Sequence, residues 1–158
     1  MLPKKHTKVL KFIAEKLNNT NINWIVVGST NLAMQGVDIE PNDIDILTDK
    51  KGAFEIEKIL QDFVTKPVKY SENKKFRSYY GILKIEDIEI EIMGDLVNKK
   101  AIGDLWNETR GFVGKIYFNL IGTKIPVNTL EKELSAYKKI GREKKVDKIQ
   151  AFINHNEK

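Results

Sequence analysis

The chain has 158 residues, of which 41% are hydrophobic and 31% are charged. This length fits one ordinary domain, and this balance is typical of a globular protein rather than a membrane protein or a disordered chain. Because there are no cysteines, disulfides, thiolate zinc sites and a cysteine nucleophile are excluded. The net charge of +5 suits a phosphate-bearing ligand or nucleic acid, although a solvated lysine-rich surface explains it as well.

The sequence carries no sign of membrane insertion or export. No apolar run approaches the roughly 18 residues that a spanning helix needs, and no apolar stretch with a small-residue cleavage site follows the basic N-terminus. We therefore expect a cytoplasmic protein without membrane association. Because no repeat, linker or change of composition divides the sequence, we expect one domain over residues 1–158, with a core at about 22–127 and a helical segment at about 128–154.

Hydrophobic spacing in the first half of the chain predicts helices that alternate with short strands. The predicted elements are a helix over residues 5–18, a buried strand at 24–27, a short helix over 30–35 that ends at Gly36, a strand at 43–47 and a helix over about 51–63. The first of these strands is a continuous apolar run, as in a fully buried strand, whereas the second alternates polar and apolar residues.

The second half of the chain predicts two hairpins followed by two helices. One hairpin joins strands at 79–85 and 88–93 through Glu86-Asp87, and the other joins 113–121 and 124–127 through Gly122-Thr123. Asn128 is placed to cap a helix, with Glu131 three residues later as in a capping box, and a last helix covers about 143–153. Together these elements predict an α+β domain.

The first candidate site is Gly28-Ser29, which follows the buried strand and opens a short helix. Backbone N–H groups and the positive end of a helix converge at such a turn, and glycine lets an anion approach the backbone closely. Ser29 adds a hydroxyl donor. The turn therefore indicates a phosphate site, although Gly-Ser after a strand is also a common structural turn.

The second candidate site is Asp43-Ile44-Asp45. Residues two apart in a strand face the same way, so both carboxylates should lie on one face of the sheet, with the isoleucines in the core behind them. Neighbouring carboxylates repel each other unless a cation lies between them, and their oxygens suit Mg²⁺ or Mn²⁺ better than zinc. The alternative is an exposed edge strand, but aspartate is a poor strand former.

Two glutamates, Glu89 and Glu91, alternate with isoleucines in the same way. If their strand lies beside the strand of Asp43 and Asp45, one of the glutamates would complete a metal site of three carboxylates. If their strand lies at an edge of the sheet, both glutamates would form only a solvated polar face. The pattern itself does not choose between Glu89 and Glu91.

Together these motifs resemble the nucleotidyltransferase superfamily with the DNA polymerase β-like palm fold. That family has a Gly-Ser turn, a short helix, Asp-x-Asp on the next strand and a third carboxylate on a later strand. The matching residues here are Gly28-Ser29, Asp43-x-Asp45 and Glu91 or Glu89. The resemblance implies a mixed central β-sheet flanked by helices, with further helices at the C-terminus.

The C-terminal segment is similar to that of the small antibiotic- and antitoxin-type nucleotidyltransferases. It contains Pro126-Val127, then a leucine-rich helix, and then Gly141-Arg142-Glu143-Lys144. Where those relatives have aspartate at the next position, this chain has Lys145. The resemblance therefore extends along the chain to its last predicted helix.

The resemblance implies metal-dependent transfer of a nucleoside monophosphate from an NTP to an acceptor hydroxyl. Asp43, Asp45 and Glu91, with Glu89 as the alternative to Glu91, would be catalytic and would hold Mg²⁺ or Mn²⁺. One ion would bridge the phosphates over Gly28-Ser29, and a second would activate the acceptor. The acceptor itself is not implied, since an antibiotic, an RNA end and a protein hydroxyl all fit.

Several cations are candidates for binding the triphosphate or a nucleic-acid backbone. Lys74, Lys75 and Arg77 precede the first hairpin, where Tyr79 and Tyr80 could stack on a base. The alternative for this cluster is a solvated loop. Arg142, Lys138 and Lys144 could cover the site from the C-terminal helices, and the spacing of four residues predicts that Lys138 and Arg142 share a helix face.

Two other functions are consistent with the same residues. The chain could be a catalytically silent nucleotide- or protein-binding module on this fold, for example the antitoxin-like partner of another protein. It could also be a basic RNA-binding domain, although no standard RNA-binding motif is visible. A cleft in which Asp43, Asp45 and a glutamate converge would favour the enzyme over the binding module.

Overall fold

The computed structural model describes residues 2–98 and 115–157. Over these ranges the chain forms seven β-strands and five α-helices. In chain order they are α1 (Lys4–Leu17), β1 (Trp24–Val27), α2 (Gly28–Met34), β2 (Ile44–Thr48), α3 (Lys50–Ile59), β3 (Val64–Glu72), β4 (Phe76–Ile85), β5 (Ile88–Asn98), β6 (Ile116–Leu120), β7 (Thr123–Val127), α4 (Leu130–Lys139) and α5 (Glu143–Asn156). None of the described helices is long and apolar enough to cross a membrane.

The seven strands form one mixed sheet in the order β3-β4-β5-β2-β1-β7-β6. β2 runs parallel to β5 and β1 runs parallel to β7, whereas the other neighbours are antiparallel. β2 is therefore the central strand, with β5 on one side and β1 on the other. The mixed sheet with its helices confirms the predicted α+β class.

The two faces of the sheet have different roles. α1 and α3 pack on one face and bury the main hydrophobic core. That core includes four isoleucines of β2 and β5 that have 0% exposure, namely Ile44, Ile46, Ile90 and Ile92. The opposite face carries a smaller apolar cluster around Ile25 and Leu47. Because side chains alternate along a strand, the acids between the isoleucines lie on that opposite face.

The C-terminal helices pack against α2 through a third apolar cluster, which contains Leu32 of α2, Tyr137 of α4 and Ile149 of α5. α4 ends at Lys139, and Gly141, two residues later, has a φ of +76°. The N–H of the following residue, Arg142, donates to the carbonyl of Tyr137 at 3.0 Å, which is the Schellman arrangement. This turn separates α4 from α5, so the prediction that Lys138 and Arg142 share one helix face is wrong.

The cap of α4 also differs from the prediction. Thr129 Oγ1 accepts the N–H of Lys132 at 3.2 Å, so Thr129 is the N-cap and the capping box predicted at Asn128 is wrong by one residue. The carbonyl of Asn128 accepts hydrogen bonds from the side chains of Asn31 at 3.1 Å and Gln35 at 2.8 Å. Asn128 therefore lies outside α4, bound by Asn31 of α2 and by Gln35, which directly follows α2.

The sequence pattern misses β3 and overextends α3. The helix ends at Ile59, and Gln61–Phe63 forms a short 3₁₀ turn instead of a last helical turn. β3 contains Pro67 and a single buried residue, Val68, so no hydrophobic alternation marks it in the sequence. Pairing with β4 makes this segment a strand, and its position at the edge of the sheet tolerates the proline.

Both predicted hairpins are present, and one turn is displaced. Glu86 and Asp87 have φ values of 50° and 67°, which fit a tight hairpin turn. In the second hairpin the turn residues are Ile121 and Gly122 rather than Gly122 and Thr123, because β7 already begins at Thr123. The first two residues of the strand predicted at 113–121 lie outside the described residues.

Candidate active site

Asp45 and Glu91 lie opposite each other on neighbouring parallel strands. The register pairs Asp45 of β2 with Glu91 of β5, with a pair of isoleucines on either side. Because those isoleucines are buried in the main core, both carboxylates face the other side of the sheet. The register therefore places Glu91, and not Glu89, directly beside Asp45.

Asp43 and Glu89 lie one step further along the same two strands. Asp43 directly precedes β2 and is half-buried, whereas Glu89 is paired with Lys84 of β4. Burial is the largest cause of a raised pKa at Asp43, followed by the negative charges of Glu91 and Glu89. The charges of Glu91 and Glu89 therefore act on Asp43, so the three acids lie close enough to influence one another. Among the described residues, no group of three histidine, aspartate or glutamate side chains is arranged so that it could hold a metal ion.

Asp45 is a half-buried acid with a buried, unsatisfied oxygen, Oδ1. Burial is the main cause that raises its pKa to about 8, followed by its contact with the carboxyl group of Glu91. Within residues 2–98 and 115–157, Asp45 Oδ1 has no hydrogen-bond donor. A proton between the two carboxyl groups makes their contact a hydrogen bond, whereas two carboxylates repel each other. A divalent cation in place of that proton would remove the repulsion, so these residues fit such an ion.

Glu91 is also held from the side of β4. The hydroxyl of Tyr80 donates a hydrogen bond to Glu91 Oε1. Burial, and then Glu91 itself, raise the pKa of Tyr80 above its usual value, so the hydroxyl remains a donor at neutral pH. On the ring of Tyr80, Lys66 Nζ lies 5.2 Å from the centroid. Tyr80 therefore contacts a cation through its ring and one acid of the pair through its hydroxyl.

Gly28 lies against Asp45. Its φ of +79° is in the region that favours glycine, and a Cβ atom at this position would come 2.6 Å from Asp45 Oδ2. The N–H of Gly28 donates to Glu133 Oε2 at 2.7 Å. This amide is therefore already satisfied within the protein. In the predicted Gly28-Ser29 turn, the side-chain donor for a ligand is the hydroxyl of Ser29, which is half-buried.

Glu133 is an acid buried beside Gly28 that was not predicted from the sequence. It is 1% exposed and accepts further hydrogen bonds from Asn31 Nδ2 at 3.2 Å and Asn128 Nδ2 at 3.5 Å. Burial raises the pKa of Glu133 to about 7, although these hydrogen bonds act in the opposite direction. A signal was present in the sequence, since Glu133 precedes Tyr137 by four residues on the apolar face of the helix.

Lys145 brings a positive charge to the site from α5. It is half-buried, and its Nζ atom lies 4.9 Å from the centroid of the Tyr137 ring. Its pKa is lowered by burial and then by Arg142, whereas Asp45 and Glu133 act in the opposite direction. Where the resemblance predicts an aspartate, the chain therefore carries a cation within electrostatic reach of Asp45 and Glu133.

The predicted cations are all exposed: Lys74, Lys75, Arg77, Lys138, Arg142 and Lys144. Lys74 and Lys75 lie in the turn between β3 and β4. Arg77 lies within electrostatic reach of Tyr70. The ring centroids of Tyr70 and Tyr79 are 5.6 Å apart. Tyr79 in turn contacts Phe54 of α3, so this group lies on the helix-covered face. The described contacts therefore do not bring Lys74 or Arg77 to the carboxylates.

A cavity of about 340 Å³ lies beside Glu91 on the face of the acids. Residues of β3, β4 and β5 line it, among them Lys66, Ser78, Tyr80 and Met93. A volume of this size accommodates a small molecule or one ring of a larger one. The acid pair therefore has space for a ligand next to it.

Comparison with known proteins identifies the family. Residues 9–152, nearly the whole chain, match the sequence profile of the aminoglycoside-2″-adenylyltransferase family. No curated protein sequence matches the chain at a significant level. Among solved structures, a protein of Thermotoga maritima whose assignment as a nucleotidyltransferase is provisional is 39% identical, with a TM-score of 0.83 over 98% of this chain and 96% of that one.

Two more distant structures share the fold. ANT(2″)-Ia, crystallised with adenylyl-2″-tobramycin, is 14% identical, with a TM-score of 0.57 over 89% of this chain and 78% of that one. An antigenic nucleotidyltransferase-like protein from Paracoccidioides brasiliensis is 14% identical, with a TM-score of 0.53 over 94% and 77% of the two chains. These likenesses confirm the predicted nucleotidyltransferase fold, and the match over residues 9–152 shows that the chain belongs to the aminoglycoside-2″-adenylyltransferase family.

Proposed function

We propose that this protein is a metal-dependent nucleotidyltransferase that moves a nucleoside monophosphate from an NTP to the hydroxyl group of an acceptor. The observation that carries the proposal is the pairing of Asp45 with Glu91 on adjacent parallel strands, with Asp43 one step away. Family membership supports the reaction class. Positioning and charge neutralisation are the tasks that such a reaction requires of a protein.

In this reaction the acceptor oxygen forms a bond to the α-phosphorus of the NTP. The bond from that phosphorus to the bridging oxygen of the β-phosphate breaks, and pyrophosphate leaves with the bonding electrons. The hydroxyl proton of the acceptor would pass to the carboxylate of Glu91, which lines the cavity where an acceptor fits. The hydrogen bond from Tyr80 holds Glu91 in position.

Mg²⁺ or Mn²⁺ is the proposed cofactor, held by Asp43, Asp45 and Glu91. The donor set is made of carboxylate oxygens, and the buried Oδ1 of Asp45 lacks a donor within the described part of the chain. Such an ion supplies positive charge that favours an ionised acceptor oxygen and neutralises the phosphates. Glu89 remains the alternative third ligand, but it is exposed, and the register of β2 and β5 pairs Asp45 with Glu91.

The triphosphate is proposed to lie over Gly28-Ser29. Because the N–H of Gly28 is bonded to Glu133, the contribution of Gly28 is to leave space beside Asp45, and the Ser29 hydroxyl is the side-chain donor for a phosphate. The C-terminal cation Lys145 adds positive charge close to the same acids. In this proposal the phosphates would lie between α2 and the start of α5.

Incubation with each α-labelled NTP and Mg²⁺ tests the proposal, with aminoglycosides, RNA and proteins as candidate acceptors. We expect Mg²⁺-dependent release of pyrophosphate and transfer of label, both abolished in Asp45→Asn. Asp62→Asn is the matched control, since it removes an exposed carboxylate on the 3₁₀ turn and should leave the activity unchanged. Activity that persists in folded Asp45→Asn protein would contradict the assigned role.

A catalytically silent nucleotide- or protein-binding module is the second candidate. The observation that favours it is the hydrogen bond from the N–H of Gly28 to Glu133. This bond occupies a backbone donor that was expected to bind a phosphate at the turn. A lysine at position 145, where the small antibiotic- and antitoxin-type enzymes have an acid, points the same way. Such a module would bind NTP equally well in the wild type and in Asp45→Asn, and neither protein would release pyrophosphate.

A further inference from the structure

We infer that two buried side chains outside the sheet, His6 of α1 and Thr30 of α2, hold Asp43 in place for ion binding. Both are positioning residues, because they act through Asp43. The inference rests on the function proposed above, in which Asp43 is a metal ligand. It is carried by two hydrogen bonds, which bind the peptide groups on either side of the Asp43 Cα atom.

Asp43 differs from the other two proposed ligands in how the sheet holds it. Asp45 and Glu91 are partners in the register of β2 and β5. The pairing of β2 begins at Ile44 with β5 and at Asp45 with β1, so Asp43 precedes both ladders. Strand pairing therefore sets the direction of Asp45 and Glu91, whereas the backbone at Asp43 depends on other partners.

His6 holds the peptide that precedes Asp43. Its Nε2 atom lies 2.9 Å from the carbonyl oxygen of Asn42. Because a carbonyl oxygen can only accept, Nε2 carries the proton and donates the hydrogen bond. Burial is the largest cause of the raised pKa of Asp43, whereas His6 acts in the opposite direction, so the ring lies within electrostatic reach of this carboxyl group. α1 thereby holds the chain as it enters Asp43.

Thr30 holds the peptide that follows Asp43. Its Oγ1 donates to the carbonyl oxygen of Asp43 at 2.7 Å, and the residue has 0% exposure. Thr30 belongs to α2, the helix that opens at Gly28. With one peptide group bound on each side, both backbone dihedral angles of Asp43 are restricted. The carboxylate of Asp43 is thus directed by two helices and not by the strand ladder.

Packing alone does not account for a histidine at position 6. The residue is 8% exposed, and within the described part of the chain its Nδ1 atom is buried without a hydrogen-bond partner. A buried polar atom without a partner lowers stability, and an apolar ring would avoid this cost. An apolar ring could not donate to Asn42, however. The advantage of histidine here is therefore its hydrogen bond to the backbone beside Asp43.

Substitutions that keep or remove each bond test the inference through the affinity for Mn²⁺. Glutamine carries its amide nitrogen as many bonds from Cα as histidine Nε2, whereas the amide nitrogen of asparagine corresponds to Nδ1. His6→Asn should therefore raise the Kd for Mn²⁺ about tenfold, as when a partner of a metal ligand is lost, and His6→Gln should stay within about threefold of wild type. Electron paramagnetic resonance of free Mn²⁺ measures these values on the full chain.

The second bond is tested by a corresponding pair. Thr30→Val removes the hydroxyl and should raise the Kd for Mn²⁺ about tenfold, whereas Thr30→Ser keeps it and should stay within about threefold of wild type. His155→Asn, at an exposed position in the last turn of α5, is the control and should bind Mn²⁺ like wild type. Equal Kd values within the His6 pair overturn the role of His6, and equal values within the Thr30 pair overturn that of Thr30.

Urea denaturation separates positioning from a general loss of structure. Both His6 variants lose the same ring, so their unfolding midpoints should be similar while their Mn²⁺ affinities differ. A merely structural role would lower stability and affinity together in both variants. Affinities that follow the unfolding midpoints through all the variants would therefore overturn the inference.

The backbone N–H of Asp43 provides a readout that needs no ion. It belongs to the same peptide group as the Asn42 carbonyl, so its ¹H–¹⁵N NMR signal should move in His6→Asn and return toward its wild-type position in His6→Gln. If this pattern holds in a protein that binds no Mn²⁺ and releases no pyrophosphate, the proposed function fails and the placement of Asp43 by His6 is supported. If the wild type binds Mn²⁺ and transfers the nucleotide, but signal and Kd agree between the two His6 variants, the enzyme is supported and the inference is overturned.

Discussion

Two acids, the half-buried Asp45 and the fully buried Glu133, contact the same glycine in different ways. Glu133 accepts hydrogen bonds from the N–H of Gly28 and from two asparagine side chains. Asp45 faces the carboxyl group of Glu91, and its Oδ1 has no donor among the described residues. Burial raises the pKa of both acids, to about 7 for Glu133 and about 8 for Asp45. A raised pKa therefore does not by itself distinguish a structural acid from a catalytic one.

The partners of each acid make that distinction. A buried carboxylate with several donors is stabilised within the protein, so Glu133 serves as a link between α4 and the start of α2. A buried carboxyl group that faces another acid is stabilised only by a shared proton or by a cation. Asp45 is therefore the acid with a reason to bind an ion, and each prediction below tests this difference.

The largest expected effect is on activity. Asp45→Asn should reduce NTP-dependent pyrophosphate release by about 10³-fold, because it removes charge from the reacting centre. The same variant should unfold at an equal or higher temperature at about pH 9, because Glu91 no longer faces a second carboxylate. Initial rates and scanning calorimetry on one preparation check both effects. A protein that stays active but becomes less stable would reverse the roles assigned to the two acids.

Glu133→Ala should lower the free energy of unfolding by about 3 kcal/mol, because three donors lose their acceptor and a cavity remains. Glu133→Gln keeps one carbonyl oxygen for Gly28 and should lose about half as much. Urea denaturation measures both values. Glu131→Ala, at an exposed position on the same helix, is the control and should stay within about 0.5 kcal/mol of wild type. Equal losses in the alanine variants at Glu133 and Glu131 would rule out the structural link.

Gly28→Ala should lower the free energy of unfolding by about 2 kcal/mol, because the glycine has a φ of +79° and an added Cβ overlaps Asp45 Oδ2. Combining it with Asp45→Ala removes the overlap but not the backbone strain, so about 1 kcal/mol should be recovered in a double-mutant cycle. Combining it with Glu133→Ala should recover nothing, since Glu133 contacts the N–H of this residue. Recovery with Glu133→Ala and none with Asp45→Ala would show that the two contacts are assigned the wrong way round.

The smallest effect is the dependence of ion binding on pH. Asp45 has a folded pKa of about 8 against an ordinary 3.8, so its proton stabilises the folded chain at acidic pH, and that contribution is lost as the pH rises to about 8. To bind at Asp45, Mg²⁺ must displace this proton. Stabilisation by Mg²⁺ should therefore be small near pH 5 and grow up to about pH 8, reaching about 1.4 kcal/mol at ten times Kd.

Thermal unfolding with and without Mg²⁺ at several pH values measures this dependence. Asp45→Asn should remove it, whereas Asp62→Asn should keep it, because Asp62 is exposed on the 3₁₀ turn. An Mg²⁺ effect of the same size near pH 5 and near pH 9 would indicate that the ion binds elsewhere on the protein.

The sequence by itself determined those features that depend on local periodicity. Alternation along the chain predicts that Asp45 faces away from the neighbouring isoleucines, and in the structure these isoleucines are fully buried. Helical spacing predicts α1, α4 and α5, and the glycine after α2 marks its end. Such features depend on residues a few positions apart, whose relative directions are set by the geometry of a strand or a helix.

Only the tertiary structure decided which groups from distant parts of the chain meet. The choice of Glu91 over Glu89 depends on the register between β2 and β5, and β3 is a strand because β4 pairs with it. Glu133 reaches the N–H of Gly28 across 105 positions of the chain, where the sequence pattern predicts a phosphate. No local spacing encodes these contacts, because they are set by how whole strands and helices pack around the core.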